Sequence, residues 1–101
     1  MERFKQVICG VKLPRTVQVG CFTISVCVVK NLGVDRALNG EYSHHHLEIR
    51  IGSECNAQQA WETYHHELME CINAVYALDL THEQITLAAV GLAQSMEAQY
   101  V

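Results

Sequence analysis

The chain has 101 residues, half of them hydrophobic and 18% charged, with a formal net charge of -4. That length allows one domain around one core, and that charge balance leaves no broad cationic surface, which excludes nucleic acid as the default partner. No apolar run is long enough for a secretion signal or a membrane span, so no membrane partner is expected and the protein should stay in the cytoplasm where it is made.

Residues 1 to 16 read as an N-terminal arm or edge strand. They carry the short apolar patch Val7-Ile8-Cys9, a break at Gly10 and the only proline, Pro14, and proline is confined to sheet edges and strand starts. From 17 to 51 the pattern is that of a small antiparallel β-sheet. Phe22, Ile24, Val26 and Val28 alternate with Cys21, Thr23, Ser25 and Cys27, which sets the first group toward the core. Turn signals stand at Asn31-Leu32-Gly33 and Asn39-Gly40. Two short strands follow, around Tyr42 and from Leu47 to Ile51, with Leu47, Ile49 and Ile51 inward and Glu48 and Arg50 outward. Their connection is His44-His45-His46, where a solvated turn is the simplest account, since consecutive side chains do not converge on one ion.

Residues 52 to 56 form a linker, and 57 to 78 carry a helical stripe of Trp61, Tyr64, Leu68, Cys71 or Ile72, and Val75. Thr81-His82-Glu83-Gln84 is a capping-box sequence opening a second helix over 82 to 98, with Ile85, Ala88 or Ala89, Leu92 and Met96 on its buried side and Ala88, Ala89 and Gly91 permitting close approach. The five cysteines, at 9, 21, 27, 55 and 71, are odd in number and contain no C-x-x-C pair, which fits buried thiols in a reducing compartment better than a disulfide framework.

Chemistry concentrates in His65-His66-Glu67-Leu68-Met69-Glu70-Cys71. Glu62, His66 and Glu70 recur every four residues and line one helix face, with Glu67 turned about 100° away. His66-Glu67-x-x-Glu70 is one substitution from H-E-x-x-H, in which two histidines hold zinc and the glutamate activates water. Here His66 takes the first ligand position, Glu67 that of the general base, and Glu70 the place of the second histidine. A carboxylate can ligate zinc, but it moves preference toward harder divalent ions such as manganese or iron; the expected cofactor is zinc, another divalent metal, or none.

The chain resembles a family of small phage and prophage proteins with a zincin-like, minimal metallopeptidase appearance. The matching pieces are Asn39-Gly40-Glu41-Tyr42, Leu47-Glu48-Ile49-Arg50-Ile51, Glu62-Thr63-Tyr64-His65-His66-Glu67-Leu68-Met69-Glu70-Cys71-Ile72-Asn73 and Leu78-Asp79-Leu80-Thr81-His82-Glu83-Gln84-Ile85, spanning roughly residues 17 to 95 in the same order. The resemblance implies an α+β fold, a small sheet packed against two C-terminal helices. It implies a further acidic ligand from the second helix, which would be Glu83, with His82 as the alternate. The family pattern has histidine where Glu70 stands. Two functions follow from the resemblance. One is an accessory protein with a degenerate metal site that binds a host or phage protein in the infected bacterium's cytoplasm, or as a virion component. The other is a metal-dependent peptidase with His66 and Glu70 as ligands and Glu67 as base. A chain this short leaves little wall for an enclosed cleft, so a second chain could complete one.

Overall fold

Strand formation begins earlier than the hydrophobic pattern indicates. In the computed structural model, which describes residues 5–32 and 39–101, β1 (Lys5–Ile8) and β2 (Val11–Pro14) pair as an antiparallel hairpin. Cys9 and Gly10 form its two-residue turn with φ of 54° and 85°, and positive φ at both central positions suits the twist of paired strands. Residues 5 to 14 are thus more than an arm or a single edge strand, because Val11 and Leu13 are fully buried. The C-terminal tail lies along β2, with Lys12 N donating to Gln99 O (2.9 Å) and Val101 N to Gly10 O (2.8 Å). Residues 1–4, and the turn expected at Gly33, lie outside the described residues.

Strands β3 (Thr16–Val19), β4 (Phe22–Val29), β5 (Gly40–Ser43) and β6 (Glu48–Gly52) form a second sheet in the order β3-β4-β6-β5. The β3–β4 and β5–β6 pairs are antiparallel and β4 and β6 are parallel, so the expected α+β fold holds with an antiparallel-rich sheet that contains one parallel pair. Strand β5 lies at the far edge of the sheet, and β6 turns back from it to lie beside β4 in the same direction. Short turn signals on either side of a strand do not report that strand order. Ile24, Val26, Ile49 and Ile51 face the core as expected, while Val28 is exposed and Leu47 sits in the turn with φ of 54°.

Helix α1 (Ala57–Tyr76) starts at a capping box the linker assignment passed over. Asn56 Oδ1 accepts from Gln59 N (2.8 Å) and Gln59 Oε1 accepts from Asn56 N (2.9 Å), satisfying donors the first helical turn leaves open. It ends at left-handed Ala77, two residues short of the expected boundary. Ala60, Tyr64 and Cys71 are buried, with Trp61, Leu68, Ile72 and Val75 packed partly against the core. Burial of such a stripe contributes about 1.5–3 kcal/mol per large side chain, more than helix propensity supplies.

Helix α2 (His82–Ser95) opens on the expected Thr81/Gln84 box. Its buried positions are Ile85, Ala89 and Ala93, a strict four-residue step, with Trp61 Nε1 donating to Ala93 O (2.9 Å). Ala88, Gly91 and Met96 are exposed. They do not mediate close approach: a Cβ on Gly91 would meet nothing within 4 Å, and the backbone turns extended at Met96, so the helix stops before 98.

Gly40, at the start of β5, is required by contact. A Cβ there would collide with Thr63 Cγ2 and lie 2.7 Å from Arg50 O. Gly40→Ala should therefore destabilise by about 1–3 kcal/mol, the usual cost of overpacking, read as a lower urea midpoint. An unchanged midpoint would mean that β5 does not press on α1 this closely.

Candidate metal site

Successive turns of α1 carry His66 and Glu70, with His66 Nε2 3.6 Å from Glu70 Oε2. His82, first residue of α2, brings Nδ1 to 4.0 Å from the same oxygen, and the two imidazoles stand 5.4 Å apart between ring centroids. One ligand atom from each of the three residues lies within 4.8 Å of the others. His82 depends for its position on residues 77 to 81. Ala77 and Asp79 there have φ of 52° and 59°. Asn73 grips the connection, its backbone oxygen accepting from Leu78 N (3.2 Å) and its Oδ1 from Leu80 N (2.9 Å). Asn73 is a positioning residue not singled out from the sequence; its signal is an asparagine in the last turn before a short connection, where its amide can satisfy loose backbone groups.

The expected acidic ligand from α2 is not the residue that arrives. Glu83 is exposed and outside the cluster, and the alternate, His82, takes the position. Neighbouring helical residues point about 100° apart, so only one of the two can face Glu70. Glu62 borders the cleft at the exposed edge of α1 but does not join the cluster.

Glu67 is 9% exposed. Burial chiefly, and then the carboxylates of Glu70 and Glu41, push its pKa up to about 7, partly offset by the Tyr42 backbone N–H donating to it. It lines, with His66, His82, Gly40 and Thr63, an open cleft of about 340 Å³ between β5 and the helices. Glu70, Tyr42 and His44 belong to the adjoining wall.

The remaining histidines separate by role. His65 is 2% exposed, its Nδ1 2.8 Å from Trp61 O and its ring edge-on to Trp61 and Tyr64; burial lowers its pKa. It is a core residue. In the turn, His44 Nδ1 lies 2.7 Å from Tyr42 Oη and His46 Nδ1 3.0 Å from Ser43 Oγ. These imidazoles therefore have different partners. All five cysteines are free, with Cys55 and Cys71 buried, Cys21 exposed and the other two between.

A tetrahedral zinc site with ligand bonds near 2 Å sets its ligand atoms roughly 3.3 Å apart. Separations of 3.6 and 4.0 Å to the Glu70 oxygen, and up to 4.8 Å across the set, are wider than that, so the three side chains would have to rotate inward to hold one ion. Two imidazoles and one carboxylate form a less anionic set than His66, Glu70 and Glu83 would, and suit zinc better.

No family model, curated protein or solved structure matches the chain. Among the described residues, no helix is long and apolar enough to cross a membrane.

Proposed function

We propose that this protein is a metal-dependent hydrolase of zincin-like type, cutting a peptide or related amide bond. The observation that carries this reading is the meeting of His66, Glu70 and His82 within 4.8 Å in the cleft that also holds Glu67. These three residues would hold a divalent ion, zinc before harder ions, and the ion would supply Lewis acidity to water and a carbonyl oxygen. Glu67 does the proton work. A buried carboxyl beside these ligands would accept a proton from water and return it to the leaving amine. Its hydrogen bond from Tyr42 N–H keeps it beside β5, and Gly40 lets that strand pack closely against Thr63 and Glu67. The resemblance to phage and prophage proteins supports action in the cytoplasm of an infected bacterium.

Calorimetric titration of chelator-treated protein with zinc should show one site, and the zinc-loaded protein should hydrolyse a mixed peptide pool, read by mass spectrometry. Glu67→Gln should keep the binding and lose the hydrolysis. Absence of a one-to-one zinc isotherm would overturn the reading.

A second reading is favoured by a separate observation: Val90, Met96 and Tyr100 are exposed and line one groove beside Trp61, and Leu87 on the same helix is 65% exposed. Exposed apolar clusters mark partner surfaces. In that reading the chain is a non-catalytic accessory protein that binds a host or phage protein. It is supported if zinc binds and no peptide in the pool is cut.

A further inference from the structure

Cys9 and Cys55, distant in sequence, are both held beside Gly52, Cys9 by its thiol and Cys55 by its backbone N–H. Cys9 occupies the β1–β2 turn, and its Sγ lies 3.6 Å from Gly52 O and 3.9 Å from Ser53 O. Cys55 N donates to the same Gly52 oxygen at 3.1 Å. The Cys55 thiol sits against the adjoining backbone, with Sγ 3.5 Å from Asn39 O. Cys9 acts on the surroundings of Cys55. The pKa of Cys55 is raised by burial and then by the charge of Cys9, and that of Cys9 by burial and then by Glu54. Cys21, by contrast, is exposed.

From this geometry we infer that Cys9 and Cys55 form a reversible intramolecular disulfide, a modification site for a low-molecular-weight disulfide oxidant such as oxidised glutathione. The Cys9 thiolate, the more accessible of the two, attacks one sulfur of the oxidant. A protein–glutathione bond forms and one glutathione thiolate leaves. The Cys55 thiolate then attacks the Cys9 sulfur, the Cys9–Cys55 bond forms, and the second glutathione departs. The protein loses two electrons and two protons, and the oxidant is reduced to two thiols. In reducing compartments such bonds are transient and serve as sensors.

The bond has a route to the cleft. Cys55 directly precedes the N-cap Asn56, and its thiol donates to the carbonyl of Asn39, which borders the cleft beside Gly40. A disulfide removes that donor and ties the β1–β2 turn to the start of α1. The inference does not depend on metal binding or hydrolysis.

The folded, full-length protein should be equilibrated across a series of oxidised-to-reduced glutathione ratios, quenched in alkylating reagent, and mapped by non-reducing peptide mass spectrometry. The expected result is that two of the five thiols escape alkylation, with a Cys9–Cys55 peptide pair lighter by two hydrogens. That pair should be lost in Cys9→Ser and in Cys55→Ser, kept in Cys21→Ser, and reversed by dithiothreitol. Glutathione adducts without the intramolecular pair at every ratio would overturn the inference. So would equal formation of the pair in guanidinium-unfolded chain, because native geometry would then have no part in it.

Discussion

Glu67→Gln should raise the melting temperature of metal-free protein at pH 8 by roughly 10 °C and leave it nearly unchanged at pH 4. The glutamate's pKa rises from an ordinary 4.5 to about 7 on folding, so the native state binds more protons than the unfolded chain between those values. Stability therefore falls as pH rises through that window, and the loss is complete above pH 7. The shift corresponds to about 3 kcal/mol; allowing for the part of the carboxyl that water reaches, about 2 kcal/mol is the expected cost. Glutamine keeps the size of the side chain and an oxygen for the Tyr42 N–H, but has no charge to desolvate. Buried His65, whose pKa is lowered by burial, contributes with the opposite sign and cancels in the difference between wild type and variant. Thermal melts of both proteins in chelator at the two pH values check the expectation. A lower melting temperature for the variant at pH 8 would make Glu67 a structural tether for β5 and not a strained, charge-bearing group held in a cleft.

The elements legible in the sequence are those whose partners are close in the chain or whose periodicity is long. The stripe on α1 and the Thr81/Gln84 box are of that kind, and so is the inward set of Ile24, Val26, Ile49 and Ile51. The Asn56/Gln59 box was equally available, since it follows the same cap-x-x-glutamine rule. The β1–β2 hairpin was harder, because Cys9 adopts positive φ without being glycine and the tail that covers β2 comes from the other end of the chain. Parallel pairing of β4 with β6 likewise depends on a crossing that no local pattern encodes. At the candidate site, the His66/Glu70 face followed from helical spacing alone. The choice between His82 and Glu83 did not, because it turns on the left-handed residues Ala77 and Asp79 and on Asn73 holding the connection.

That choice gives the largest expected effect on binding. His82→Ala should weaken zinc binding on the order of 100-fold, at least as much as loss of an outer-shell group costs a metal site, while Glu83→Ala leaves it within a few-fold of wild type. His82 is 79% exposed in its side chain, and surface changes of that kind usually alter stability by less than about 0.5 kcal/mol, so a loss of affinity would not reflect unfolding. Glu70→His should move affinity the other way, since a third imidazole replaces the carboxylate at the centre of the cluster and gives an all-nitrogen set that zinc accepts. Calorimetric titration of the three variants checks all of this under one condition. The reverse pattern, with Glu83→Ala weak and His82→Ala intact, would return the third ligand to Glu83 and require the start of α2 to turn by one residue. If neither variant changes a measurable affinity, zinc is held elsewhere, and the proximity of His66, Glu70 and His82 reflects only a weak ion pairing between two imidazoles and a carboxylate at the mouth of the cleft.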